Sequence, residues 1–171
     1  MKAMILTISD RASSGEREDK SGPILVKILK ANGWEIDFTQ LVPDDQSEIE
    51  KVLCKWADSG EINVIMTTGG TGFSSRDCTP EATMNVVDKL APGMAEAMRS
   101  ASLKITPHAM LSRAVAGIRG KTLIVNFPGS PKAAKENLLV ILPALPHAVQ
   151  LLCGDPDAEA GHSIRTRKRQ I

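Results

Sequence analysis

Ile62-Asn63-Val64-Ile65-Met66-Thr67-Thr68-Gly69-Gly70-Thr71-Gly72 is an apolar run followed directly by hydroxyl-bearing residues and glycines. The run from Ile62 to Met66 predicts a buried strand, and Thr79-Pro80-Glu81 further along predicts the start of a helix, with Thr79 as its N-cap. A glycine-rich link between a strand and a helix N-terminus exposes backbone N–H groups that bind anions. Glycine also allows positive φ and close approach of the main chain to a phosphate. The stretch therefore indicates a nucleotide or phosphate-ester site, with a tight turn that binds nothing as the alternative.

The composition is that of a globular protein with one domain. The chain has 171 residues, of which 42% are hydrophobic and 24% charged, with a net charge of +1. Only 3% of the residues are aromatic, which argues against a stacking platform for nucleic acid. We predict one domain over residues 1–153 and a polar, flexible tail over 154–171. The basic cluster Arg165, Arg167, Lys168 and Arg169 is interpreted as part of that tail, with a nucleic-acid arm as the alternative.

The cysteines and the N-terminal segment predict a cytoplasmic protein that does not enter a membrane. Cys54, Cys78 and Cys153 have neither metal-binding nor redox spacing, so we expect reduced thiols. The chain passes directly from Met1 into a strand-like segment without the pattern of a signal peptide. No apolar run is expected to approach the ~20 residues of a membrane span.

Strand and helix patterns alternate along the chain. The order β-α-β-α-β-α-α-ββ-α predicts a three-layer α/β sandwich. Its central sheet is expected to be mostly parallel with an antiparallel hairpin, and helices should cover both faces. The predicted strands are 4–8, 35–41, 62–66, 114–118 and 121–127, and the helices between and after them are 21–32, about 49–56, 79–90, 94–101, a helix from Pro131 and an apolar stretch at 138–152.

Unusual polar or glycine-rich segments follow four of these strands. Ligands of open α/β sheets bind outside the carboxyl ends of the strands, so we expect the four segments to meet at one edge. They are Ser9-Asp10-Arg11, Pro43-Asp44-Asp45, the glycine segment from Thr68 through Asp77, and Asn126-Phe127-Pro128-Gly129-Ser130-Pro131.

Charged residues in these segments are candidates for binding phosphate and a metal ion. Asp44 and Asp77 beside a phosphate loop indicate Mg²⁺, which prefers carboxylate, phosphate and water oxygens. Either aspartate alone is equally well explained as a carboxylate at a helix start. Arg11, Arg76 and Arg113 are candidate phosphate partners because a guanidinium matches a phosphate in two-pronged geometry.

Five motifs in order make the chain resemble the molybdopterin adenylyltransferases, the MogA/MoaB family that includes the N-terminal domain of gephyrin. Together they span about residues 5–152. The motifs are Ile8-Ser9-Asp10-Arg11, Val42-Pro43-Asp44-Asp45-Gln46, Thr67 to Gly72 with Arg76 to Ala82, Leu111-Ser112-Arg113, and Asn126 to Pro131.

The resemblance implies transfer of AMP from Mg-ATP to the terminal phosphate of molybdopterin, with release of pyrophosphate. It also implies a homotrimer and a downstream metal-insertion enzyme that receives the adenylylated pterin. The pathway can end in molybdenum or in tungsten. A non-catalytic pterin-binding protein or a scaffold with the same fold is the alternative.

The resemblance also implies roles for particular residues. Asp44 and Asp77 would be the catalytic residues and hold or orient Mg²⁺. The nucleotide or its phosphates would contact Ser9, Asp10, Thr68, Gly69, Gly70, Thr71 and Gly72. The pterin or its phosphate would contact Ser112, Arg113, Pro128, Gly129 and Ser130.

Overall fold

A six-stranded mixed sheet lies at the centre of the computed structural model, which describes residues 1–156 and 158. Short 3₁₀ helices occur at Pro107–Leu111 and Leu142–Ala144. The strands and α-helices in chain order are β1 (Lys2–Ile8), α1 (Asp10–Ser13), α2 (Ser21–Ala31), β2 (Glu35–Val42), α3 (Gln46–Ala57), β3 (Val64–Thr68), α4 (Thr79–Val86), β4 (Lys89–Leu90), α5 (Pro92–Leu103), β5 (Ala116–Arg119), β6 (Thr122–Phe127), α6 (Pro131–Ile141) and α7 (Leu145–Cys153).

The strand order is β2-β1-β3-β6-β5-β4. Strands β2, β1, β3 and β6 run parallel to one another. Strand β5 pairs antiparallel with both β6 and β4. The predicted parallel sheet with an antiparallel hairpin is confirmed, and the carboxyl ends of β1, β2, β3 and β6 share one edge.

Helices cover both faces of the sheet, as predicted, and each face has its own core. Alternate residues of β1 point to opposite faces, so Ala3 and Ile5 belong to one core and Leu6 and Ile8 to the other. Residues of α2, α5, α6 and α7 pack in the first core. Residues of α3 and α4 pack in the second, where Trp56 is buried.

Strand β3 extends two residues further than its apolar pattern predicts. Thr67 and Thr68 continue the parallel ladder opposite Asn126 and Phe127, and both threonines are fully buried. The strand therefore ends at Thr68, directly before the first glycine, Gly69. Backbone pairing with β6 outweighs the change from apolar to hydroxyl-bearing side chains.

The helix predicted for 79–90 is shorter and begins differently. Helix α4 ends at Val86, and Lys89–Leu90 forms a short edge strand against β5. Cys78 occupies the N-cap position, so the prediction that Thr79 caps the helix is wrong. The Thr79 hydroxyl donates instead to the carbonyl oxygen of Gly69 at 2.9 Å.

The helical stretch Pro131–Cys153 has the length and composition of a membrane span, with a mean hydropathy of 1.4 over its most apolar window. The prediction that no segment approaches such a span is therefore wrong. Only 28% of that window is buried, yet Leu138, Ile141 and Leu145 lie in the core beside the sheet. The stretch is also broken by the 3₁₀ turn at Leu142–Ala144, and each of the two helices packs one side against the core.

The described part of the chain contains three free cysteines, Cys54, Cys78 and Cys153. Helix α7 ends at Cys153, and the C-cap residue Gly154 adopts a left-handed conformation with φ +71°. The predicted tail lies outside the described residues apart from 154–156 and 158, and so does its basic cluster.

Candidate functional site

A polar cleft of about 540 Å³ lies at the shared carboxyl edge of the parallel strands. Residues from all four predicted segments meet in it, including Asp44, Gly70, Asp77 and Ser130. Its other predicted members are Ser9, Asp10, Arg11, Thr68, Gly69, Arg76 and Gly129. The expected convergence of distant segments at one sheet edge is thus present.

Two glycines form the turn at the floor of the cleft. Gly69 and Gly70 have φ of +107° and +61°, in the region that favours glycine. A Cβ on Gly69 would lie 2.1 Å from the carbonyl oxygen of Ile8 at the end of β1. Close packing of the turn against β1, as well as its backbone conformation, therefore requires glycine.

The turn is joined to the loop that follows β6. The Thr68 hydroxyl donates to the carbonyl oxygen of Pro128 at 2.9 Å, and the Gly69 N–H donates to that of Phe127 at 3.1 Å. A Cβ on Gly129 would lie 3.2 Å from the Cα of Gly69. The two loops therefore form one continuous wall.

Asp10 and Asp44 bind each other's backbone across the cleft rim. The Asp10 N–H donates to Asp44 Oδ2 at 2.8 Å, and the Asp44 N–H donates to Asp10 Oδ1 at 2.9 Å. Arg76 forms a two-pronged ion pair with the Asp10 carboxylate at 2.9 and 3.1 Å. Hydrogen bonding to this guanidinium lowers the pKa of Asp10. Asp10 thus holds Asp44 and Arg76 in place, and its predicted nucleotide contact stays a prediction.

Asp44 and Asp77 present carboxylate oxygens suited to a cation. Burial raises the pKa of Asp44, and the negative charges of Asp10 and Asp77 raise it further, against the hydrogen bond from the Asp10 backbone. Asp77 Oδ2 accepts hydrogen bonds from the N–H groups of Gly72 at 2.8 Å and Ser74 at 3.2 Å. Within residues 1–156 and 158, the Oδ1 atoms of Asp44 and Asp77 accept no hydrogen bond from the protein.

Two such oxygens fit Mg²⁺, which commonly takes one or two carboxylates and completes its shell with substrate phosphates and water. A cation between them would also relieve the repulsion that raises the pKa of Asp44. Among the described residues no group of three or more His, Cys, Asp or Glu side chains is placed to hold a metal. The site therefore fits a metal ion shared with a phosphate ligand better than one enclosed by protein.

The cleft as a whole is not basic. Four basic and five acidic residues line it, a formal charge balance of −1. A polyanion that binds here must therefore be neutralised by backbone N–H groups and by a cation as well as by side chains. The sequence analysis did not predict that the loop before α2 contributes residues to the cleft. This loop carries four consecutive charged residues that line the cleft: Arg17, Glu18, Asp19 and Lys20.

Arg113 donates hydrogen bonds to two backbone carbonyl groups of the glycine loop. Its Nε donates to the carbonyl oxygen of Gly72 at 2.7 Å and its Nη2 to that of Asp77 at 2.8 Å. Its Nη1 pairs with Glu81. The structure gives this guanidinium three protein partners where the sequence predicted a pterin or phosphate contact. That contact stays a prediction for the remaining N–H groups.

A second, mainly apolar cavity of about 280 Å³ lies on the other side of the glycine turn. Thr71, Gly72, Ser112 and Pro128 line it, so the predicted site residues divide between two adjoining cavities, except Arg113, which lines neither. Sequence reasoning missed its other wall, formed by α5, the Pro107–Leu111 turn and α6. That wall includes Met98, Arg99, Ser102, His108, Leu111 and Asn137. One feature of the sequence could have indicated this cavity: Arg99 is a charged residue among the mostly small and apolar side chains of α5.

A mostly parallel sheet with a glycine-lined polar cleft at its carboxyl edge defines the class of open α/β proteins, whose ligands bind outside the carboxyl ends of the strands. The chain belongs to the family described as the probable molybdopterin binding domain, whose model matches residues 4–147. The matched range includes every residue that lines the polar cleft and every residue that lines the apolar cavity.

Similar proteins cover nearly the whole chain. Molybdopterin adenylyltransferase of Helicobacter pylori (strain J99) is 46% identical, over 88% of this chain and 87% of that protein. Gephyrin of Dictyostelium discoideum is 43% identical over 95% of this chain, which spans only 24% of that protein's length. The crystal structure of the molybdopterin biosynthesis enzyme MoaB from Thermus thermophilus superimposes with a TM-score of 0.85 at 48% identity, covering 91% of this chain and 98% of that chain.

Proposed function

We propose that this chain transfers the AMP group of ATP to the terminal phosphate of molybdopterin in molybdenum cofactor biosynthesis, with release of pyrophosphate. The meeting of Asp44, Gly70, Asp77 and Ser130 in one cleft is the observation that carries the proposal. Relatives named molybdopterin adenylyltransferase, which match most of the chain, support the choice of reaction. The family's description as a molybdopterin binding domain supports the choice of pterin.

The reaction needs positioning more than acid–base catalysis. An oxygen of the molybdopterin phosphate attacks the α-phosphorus of ATP, and the bond from that phosphorus to the pyrophosphate oxygen breaks. The nucleophile is already anionic, so no strong general base is required. The difficulty is to bring two polyanions into line, which donor groups of fixed orientation and opposite charges make easier.

Asp44 and Asp77 would hold Mg²⁺ through their available Oδ1 atoms. When bound, this ion supplies positive charge to the phosphate oxygens of the nucleotide. The formal balance of −1 in the cleft supports a cation requirement, since a triphosphate alone would enter a site with no excess of positive charge.

The two adjoining cavities support a division of the substrates. The polar cleft with its glycine turn would take the phosphates, with Gly129 and Ser130 at the boundary. The apolar cavity, lined by Ser112 and Pro128, would take the flat pterin ring. The turn from Gly69 to Gly72 lines both, which would place phosphate and ring on either side of one backbone segment.

Assembly into a homotrimer and delivery of the product to a metal-insertion enzyme are also proposed, on the family resemblance. Large apolar side chains on the described surface support an association face: Ile105 is 58% exposed and Met110 is 62% exposed. Sedimentation equilibrium would give three times the chain mass of 18.3 kDa if the trimer forms.

The test is to incubate the protein with molybdopterin, ATP and Mg²⁺ and to follow both products. Adenylylated molybdopterin is detected by mass, and pyrophosphate by a coupled assay. The expected result is equal amounts of both, lost when EDTA is added and strongly reduced in Asp44→Asn. Asp58→Asn, which changes an aspartate paired with Arg119 away from the cleft, is the matched control.

Pterin binding without pyrophosphate release would contradict catalysis. It would favour the alternative, a non-catalytic pterin-binding or scaffold protein with the same fold.

A further inference from the structure

Thr79 fastens the glycine turn from inside the protein. Its side chain is completely buried, and its hydroxyl donates to the carbonyl oxygen of Gly69 at 2.9 Å. Its backbone N–H donates to the carbonyl oxygen of Gly70 at 3.1 Å. One residue therefore holds two consecutive carbonyl groups of the turn.

These two bonds determine where the next two amide groups point. The chain has no cis peptide bond among its described residues, and in a trans peptide the C=O and the N–H point in opposite directions. The Gly69 carbonyl shares a peptide plane with the Gly70 N–H, and the Gly70 carbonyl shares one with the Thr71 N–H. Holding both carbonyls at Thr79 turns both N–H groups away from it.

Within the part of the chain that the structure describes, only these two N–H groups of the turn remain available to a ligand. The Gly69 N–H donates to Phe127 and the Gly72 N–H donates to Asp77. Within residues 1–156 and 158, the N–H groups of Gly70 and Thr71 donate to no protein acceptor. Gly70 lines the polar cleft and Thr71 lines the apolar cavity beside it.

We propose that Thr79 is a positioning residue that holds the Gly70 and Thr71 amides ready to donate to phosphate oxygens of the reacting groups. The inference rests on the proposed function. A donor pair whose orientation is already fixed needs no rearrangement as charge shifts in the reaction. The contact is also close: a Cβ on Gly70 would lie 2.4 Å from Thr79 Oγ1, so the turn has little room to move independently of that hydroxyl.

The test compares three variants in the adenylylation assay. Thr79→Val keeps the shape and removes the hydroxyl, whereas Thr79→Ser keeps the hydroxyl. Thr122→Val is the matched control, because Thr122 is 1% exposed and donates to the Ile62 carbonyl at 2.7 Å at the opposite end of the strands. All three are examined by thermal melting and by kcat and KM for ATP.

We expect Thr79→Val to lower kcat/KM for ATP by about tenfold or more, and Thr79→Ser to restore most of it. Thr122→Val should lower the melting temperature by a similar amount while leaving kcat/KM close to wild type. A stability effect alone would move both valine variants together. Equal activity of Thr79→Val and wild type would overturn the inference and leave the proposed function intact.

A measurement on the wild-type protein covers the case in which Thr79→Val does not fold. Amide resonances of Gly70 and Thr71 should shift strongly when Mg-ATP and then molybdopterin are added, and that of Gly69 should shift little. Binding of both substrates without movement of the Gly70 and Thr71 resonances would overturn the inference. A folded wild-type protein that binds neither substrate would overturn the proposed function and the inference with it.

Discussion

Replacing Asp77 with asparagine removes one negative charge from the cleft and changes little else. The asparagine amide oxygen can take the place of Oδ2 and accept the hydrogen bonds from Gly72 and Ser74, now 2.8 and 3.2 Å long. The position of Oδ1, which accepts no protein hydrogen bond in the described chain, becomes an NH₂ group. The oxygen proposed to hold Mg²⁺ is thereby exchanged for an NH₂ group, whose partial positive charge repels a cation.

We expect the rate of adenylylation to fall by at least about tenfold, which corresponds to ~1.4 kcal/mol of barrier. Asp44 would be left as the only carboxylate of the pair, and the Mg²⁺ concentration needed for half-maximal rate should rise. Pterin binding should survive, because Asp77 lines the polar cleft and does not line the apolar cavity. The loss of charge in two hydrogen bonds should lower stability by about 1 kcal/mol.

The assay is pyrophosphate release at saturating ATP and molybdopterin over a series of Mg²⁺ concentrations, with pterin affinity measured separately by fluorescence. Asp58→Asn serves as the control for an aspartate-to-asparagine change that leaves the cleft untouched. Turnover close to wild type at every Mg²⁺ concentration would remove Asp77 from the mechanism. Loss of pterin binding would show instead that the loop had collapsed.

Three further predictions concern stability. The pKa of Asp44 is raised above 3.8 in the folded protein, so its ionised form destabilises the fold. Asp44→Asn should therefore have a higher melting temperature than wild type near neutral pH, and this difference should disappear as the pH falls toward 3.8. Equal melting temperatures at every pH would contradict the prediction. Asn126→Ala should cost about 3 kcal/mol in urea unfolding, because three hydrogen bonds of that buried side chain are lost; a cost below about 1 kcal/mol would be incompatible with the network. Gly69→Ala should severely impair folding, because its Cβ would lie 2.1 Å from a backbone oxygen. Gly60→Ala is the control: Gly60 has φ +72° but open space around it, so this change should cost only about 1 kcal/mol of stability. Thermal melts followed by circular dichroism measure the difference, and similar melting temperatures for the two variants would refute the prediction.

The sequence identifies the architecture because local patterns and the global fold agree. Alternating apolar strands and amphipathic helices predict the parallel sheet, and the tight turn at Gly120 joins the antiparallel pair β5 and β6. The edge on which the polar loops gather follows from strand direction alone. Asp44, Gly70, Asp77 and Ser130 therefore meet as expected, and their catalytic and binding roles remain predictions.

Partners fixed by tertiary structure are what the sequence does not reveal. A threonine before a proline predicts an N-cap, yet Thr79 lies one residue inside the helix and turns its hydroxyl toward Gly69. An arginine near a phosphate motif predicts a ligand contact, yet three nitrogens of Arg113 find protein oxygens. Both outcomes depend on which loops lie within about 3 Å, a property of packing that local spacing does not encode.

Sequence motifs also do not predict the apolar cavity. Its walls come from α5, a 3₁₀ turn and α6, elements whose lining residues have no common spacing. Strand β4 is missed for a related reason: two exposed residues, Lys89 and Leu90, form a strand only because β5 offers them a partner.

The glycine turn separates the polar cleft from the apolar cavity, and this arrangement suggests a design for inhibitors. Gly70 faces one cavity and Thr71 the other, so their occupants are separated by a single backbone segment. A compound that joins an anionic head to a flat heteroaromatic ring through a short tether would reach both compartments at once. Tethering would then turn two weak fragments into one tight binder through effective concentration.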